Sequence, residues 1–108
     1  MKRNILVIYT GGTIGMIKNP QSNALEPFEF NDIYTYLPML KLLDASIVCV
    51  NIKPFIDSSN TDPAFWIRLA SEIYTNYPHY DGFVVLHGTD TMSYTASALS
   101  FLLENVNK

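Results

Sequence analysis

Threonine hydroxyls stand beside glycines at two places in this chain, Thr10-Gly11-Gly12-Thr13-Ile14-Gly15 and His87-Gly88-Thr89-Asp90-Thr91. A free hydroxyl is a weak nucleophile at neutral pH, and a neighbouring base or polarising group makes it useful. Thr13 offers such a hydroxyl, while Gly11, Gly12 and Gly15 let the backbone turn sharply and approach a ligand closely. Thr89 offers a second hydroxyl with the Asp90 carboxylate beside it. A third polar cluster, Asp57-Ser58-Ser59-Asn60, supplies hydroxyls and N–H groups able to hold a ligand carboxylate. Each has a plainer reading too. The first turn could simply link strand to loop, or cradle a phosphate. Thr89 and Asp90 are also preferred helix caps, and the third cluster could be an ordinary surface loop.

The elements around these turns follow from apolar patterning. Ile5 to Tyr9 is an unbroken apolar run, as expected of a strand covered on both faces. Lys18 to Asn23 reads as a mobile surface loop. Asn31 or Asp32 can cap a short helix running to Leu40 and interrupted by Pro38. Ser46 to Ile52 reads as a second strand. Asp62-Pro63 opens a helix with Trp66, Leu69, Ala70, Ile73 and Tyr77 on its apolar face, and Pro78 ends it. Asp81-Gly82 turns the chain into a third strand, Phe83 to Leu86. One of Thr89, Asp90 and Thr91 caps a last helix with Ala96, Leu99, Leu102 and Leu103 on its buried side. Strands alternating with helices predict an α/β fold with a parallel, doubly wound sheet. In such a sheet, ligands bind outside the carboxyl ends of the strands, where both glycine turns would lie.

The 108 residues make one domain or part of one, residues 1–108, with no internal repeat or composition boundary. With 48% hydrophobic and 16% charged residues, the chain is globular rather than disordered. A net charge of -3 without a basic cluster argues against a nucleic-acid partner. No apolar run reaches the roughly 20 residues of a membrane span. Lys2-Arg3 and the apolar run after them resemble a secretory leader, but the run falls short of the roughly 7–15 residues required. A cytoplasmic location is expected. Cys49 lies in an apolar strand and reads as a buried structural thiol. His87 reads as a satisfied structural histidine and His79 as a surface residue. No His, Cys or carboxylate group has metal-ligand spacing, and no cofactor is implied. Trp66 and Tyr77 are accounted for by core packing. The Gly-Gly-x-x-Gly spacing departs from the dinucleotide fingerprint, and no acidic residue ends a second strand as that fingerprint requires. Three strands alone leave bare edges and a small core, so a truncated domain is expected.

Together, Thr10-Gly11-Gly12-Thr13-Ile14-Gly15-Met16 and His87-Gly88-Thr89-Asp90-Thr91-Met92 resemble the motifs of bacterial-type L-asparaginases. Asp57-Ser58-Ser59 and Tyr94-Thr95-Ala96-Ser97-Ala98-Leu99 resemble the cytoplasmic type I branch. The resemblance covers essentially the whole chain. It implies an amidohydrolase that converts asparagine to aspartate and ammonia without a cofactor. By position, it implies that Thr13 is the nucleophile and Thr89 the second catalytic threonine. Asp90 would bind the substrate's α-ammonium beside Thr89, and Ser58, with Asp57 and Ser59 adjacent, would belong to the substrate-binding loop that holds the α-carboxylate.

That assignment suits a zwitterionic substrate, whose two charged ends need a carboxylate and a hydroxyl cluster. Fixing both ends aims the side-chain amide at Thr13. The family places a tyrosine on the loop after its nucleophile, whereas residues 16–33 contain none. Asn23-Ala24-Leu25-Glu26 is the nearest matching stretch. The resemblance further implies a longer protein, a homo-oligomer when complete, with a partner lysine and a C-terminal domain beyond Lys108. The 108 residues alone are then expected to be inactive. The alternative is a non-catalytic module that binds phosphate or nucleotide through Gly11, Gly12 and Gly15.

Overall fold

The computed structural model describes residues 2–11, 16–27, 34, 37–53 and 58–108. Its centre is strand β1 (Arg3–Tyr9), which pairs in parallel with β4 (Ala45–Asn51) on one side and β5 (Gly82–Leu86) on the other. The order β4-β1-β5 makes the first strand the middle one. Leu6, Ile8 and Tyr9 are fully buried and Val7 nearly so, which is why the run lacks polar alternation. Two helices, α1 (Pro63–Asn76) and α2 (Met92–Leu102), follow β4 and β5 respectively. The α/β architecture and parallel sheet match the sequence expectation.

Alternating side chains sort the core into two layers. On one face, Leu6 and Ile8 pack with Ile52 and with Phe65, Leu69 and Ile73 of α1. Burying each such side chain contributes on the order of 1.5–3 kcal/mol. On the other, Tyr9 is surrounded by Tyr34, Leu40, Cys49 and Leu86. The Tyr34 hydroxyl accepts the Ile47 N–H at 2.8 Å, satisfying an amide of outer strand β4. Val84 on β5 and Val48 on β4 remain exposed.

Local chemistry fixes where the elements begin. The Asp62 side chain accepts the Phe65 N–H at 2.9 Å, and Pro63 opens α1. Asp81 grips β1 twice. Its carboxylate accepts the Asn4 N–H and its own N–H reaches the Asn4 carbonyl, each at 2.7 Å. That bracket sets β5 in register with Leu6↔Phe83 and Ile8↔Val85.

Other elements match the expectation only in part. Lys18 to Asn23 is a surface segment, as expected, and the structure adds that Lys18 ends β2 (Met16–Lys18), joined by a hairpin to β3 (Leu25–Pro27). Asn19 closes it, its side chain accepting the Gln21 and Ser22 N–H groups, while Asn23 takes a left-handed φ of 63°. Pro38 begins a 3-10 turn, Pro38–Leu42, because its fixed φ suits a first helical position; the expected helix before it falls mostly outside the described residues. The capping residues Asn31 and Asp32 lie outside the described residues. On α2, Ala96 and Leu102 are exposed, whereas Thr95 is the buried residue, alongside partly buried Leu99. A threonine can replace an aliphatic there because its hydroxyl finds partners in the interior.

Burial pushes the Cys49 thiol up to about 11. The folded state therefore holds its proton more tightly than the unfolded state. This stabilisation is complete below the unfolded pKa and lost as pH rises toward 11. Urea midpoints measured from pH 8 upward should fall more steeply for the wild type than for Cys49→Ala; parallel curves would contradict this. Asp62→Ala should cost about 1 kcal/mol by the same assay, through loss of the cap.

Candidate active site at the carboxyl edge of the sheet

The parallel ladder continues one residue beyond the strands. Thr10 N–H donates to the Leu86 carbonyl at 3.2 Å, and its Oγ1 donates to the same oxygen at 2.8 Å. On the other side, Ile52 N–H reaches the Tyr9 carbonyl at 2.9 Å. Three chain segments therefore leave the sheet side by side at one edge. Thr10-Gly11 opens the first glycine turn, His87-Gly88 the second, and Ile52 leads toward the Asp57-Ser58-Ser59-Asn60 cluster. Thr10 is 3% exposed and His87 8%, so both turns are rooted in the interior. Gly11 has φ 123°, a conformation that side chains rarely adopt, which explains the glycine.

Each expected site residue can now be placed. Thr89 and Asp90 are exposed on the second turn, in front of α2. Ser58 and Ser59 begin a short 3-10 turn, Ser58–Asn60, in which Ser59 is exposed. Thr91 Oγ1 donates to Thr61 Oγ1 at 3.1 Å, tying the second turn to the residue that follows this cluster. Thr91 is the N-cap of α2 by position, but its side chain makes no capping bond. Thr13 and Asp57 lie outside the described residues. On the hairpin, the stretch from Asn23 to Glu26 carries an exposed Leu25.

Beneath the second turn lies a buried polar group. His87 Nδ1 donates to the Gly88 carbonyl at 2.5 Å, and Nε2 accepts from Thr95 Oγ1 at 2.8 Å. Thr95 Oγ1 also accepts Trp66 Nε1–H at 2.9 Å. His87 is thus the satisfied structural histidine expected. Thr10, Thr61 and Thr95 were not legible as site-building residues. Strand register reveals Thr10, and only the folded approach of α1 to the second turn reveals the other two. Among the described residues, no group of three or more His, Cys, Asp or Glu side chains could hold a metal ion. No helix there is long and apolar enough to cross a membrane.

Comparison with known proteins gives this geometry a context. Residues 4–108 match the family profile described as Asparaginase, N-terminal. The chain is 43% identical over 108 residues to L-asparaginase 1 of Escherichia coli strain K12, covering 99% of this chain and 32% of that protein. It superposes on the crystal structure of L-asparaginase I from Vibrio cholerae with a TM-score of 0.78 and 41% identity, covering 94% of this chain and 30% of that one. A probable cytoplasmic L-asparaginase from Campylobacter jejuni superposes with a TM-score of 0.73 at 34% identity, over 91% of this chain and 28% of that one. The chain thus spans about a third of the length of the relatives it matches. These likenesses do not favour the phosphate- or nucleotide-binding module.

If the Thr10 hydroxyl anchors the first turn to β5, Thr10→Val should lower stability by about 1–2 kcal/mol, with Thr10→Ser recovering most of it. Equal urea midpoints for valine and wild type would remove the anchor.

Proposed function

This chain belongs to the asparaginase family, in its N-terminal domain, and from that premise we propose that it provides the nucleophile and substrate-gripping part of an L-asparaginase. One observation carries the reading. The parallel pairing of β1 with β5 starts both glycine turns at adjacent points of one sheet edge, as a shared substrate demands. The Thr61–Thr91 bond brings the Ser58-Ser59 cluster toward the same place.

In this proposal Asp90 holds the α-ammonium of asparagine, and Ser58, in the loop that also carries Asp57 and Ser59, holds its α-carboxylate. Charge-assisted bonds at both ends orient the side-chain amide toward Thr13. Thr13 Oγ attacks the amide carbon, with Thr89 assisting removal of the hydroxyl proton. The tetrahedral intermediate collapses, the C–N bond breaks, and ammonia leaves carrying the transferred proton. Water then cleaves the acyl ester, which releases aspartate and restores the Thr13 hydroxyl. The substrate is a small amino-acid amide, acted on in the cytoplasm by a homo-oligomer. Because the relatives are about three times longer, the 108 residues form a partial N-terminal domain inactive by itself. The remaining length would supply the lysine that pairs with Thr89, and a C-terminal domain.

Ammonia release from asparagine by the protein carrying these residues should fall at least about a thousandfold in Thr13→Ala, the scale of losing a nucleophile. Aspartate binding, followed by calorimetry, should weaken at least about tenfold in Asp90→Ala. An undiminished Thr13→Ala rate would dismiss that residue as nucleophile. Binding indifferent to Asp90 would dismiss the ammonium site.

A further inference from the structure

Thr89 and Asp90 are exposed on the second glycine turn, in front of α2. Buried polar contacts grip the flanks of that turn. We propose that His87, Thr95 and Trp66 are positioning residues for Thr89 and Asp90, joined in a hydrogen-bond chain that anchors the second glycine turn at both ends. The proposal rests on the substrate-binding reading of that turn.

The chain runs Trp66 Nε1 to Thr95 Oγ1 at 2.9 Å, Thr95 Oγ1 to His87 Nε2 at 2.8 Å, and His87 Nδ1 to the Gly88 carbonyl at 2.5 Å. Its direction is determined by chemistry. A carbonyl only accepts, so Nδ1 carries the imidazole proton. Nε2 then has a lone pair and takes the Thr95 O–H, which leaves the threonine oxygen to accept from an indole that can only donate. Every link is used once. His87 lies just before the turn and Thr95 just after it, one on the end of β5 and the other in α2. Trp66 brings in α1 as the third support. Phe65 packs edge-on to the imidazole, ring centroids 5.9 Å apart, which holds its plane. The Thr61–Thr91 bond gives the turn a separate tie to the Ser58–Asn60 segment.

Filling a core does not require this arrangement. Thr95 is 2% exposed, at a helical position where an alanine or valine would pack without any partner to satisfy. What the hydroxyl adds is direction: it couples the orientation of one imidazole to two helices, and that imidazole grips the carbonyl immediately before Thr89.

Thr95→Val tests this in the protein that carries the chain, since it keeps the shape and deletes the hydroxyl. Amide hydrogen exchange across residues 88–91 should accelerate about tenfold or more, with β1 unchanged, and Thr95→Ser should restore protection. KM for asparagine should rise severalfold while kcat falls. A purely structural role would lower the folded fraction and leave KM as it was. Trp66→Phe removes a single donor, so the same test survives if the valine variant does not fold, with a smaller shift in the same direction. Unchanged exchange in the folded variants, or faster exchange with an unaltered KM, would overturn the proposal. A wild-type protein that releases no ammonia would instead defeat the asparaginase reading, and the exchange contrast alone would then decide the anchor.

Discussion

One backbone oxygen, that of Leu86, receives both the amide and the hydroxyl of Thr10, and this shared acceptor joins the ends of two strands that are 76 residues apart. Without that joint, the first turn would be a glycine-rich stretch free to sample many directions. With it, both turns start from neighbouring points on a rigid ladder. Central placement of β1 does the rest, because a middle strand delivers its own turn between those of its two partners. Parallel pairing thus brings three chain segments out of the sheet side by side at one edge.

Hydrophobic patterning made much of this legible. The unbroken run from Ile5 to Tyr9, the alternation of strands with helices, and the Asp62-Pro63 start of α1 each correspond to an observed element. What escaped has a physical reason. The strands of the hairpin are three residues each and hold Lys18, Glu26 and Pro27, so no apolar period marks them. Thr95 escaped because a hydroxyl counts as polar in any amphipathic pattern. Its burial is intelligible only once the indole, 29 residues earlier, and the imidazole are seen to meet there. Of the residues expected to form a site, Thr89, Asp90 and Ser59 are exposed, Thr89 and Asp90 in the segment that follows β5.

The core and the carboxyl edge of the sheet divide the labour. Leu6 and Ile8 meet α1 in an aliphatic and aromatic layer that supplies cohesion without direction. The buried polar side chains concentrate at the carboxyl edge, where direction matters. Thr10, His87 and Thr95 are the buried polar side chains described, and all three make hydrogen bonds at or beneath the turns. Shape is maintained by the first layer and orientation by the second.

The Asn4–Asp81 bracket bears on how the chain comes to be folded at all. Its two residues are 77 positions apart, so the middle strand of the sheet must wait unpaired on one side until nearly the whole segment has been synthesised. Closing so long a loop carries an entropy cost before any contact rewards it, which places this domain among slow, non-local folders. During that wait, the apolar run that will become the core is exposed on the nascent polypeptide, within reach of chaperones and of other chains.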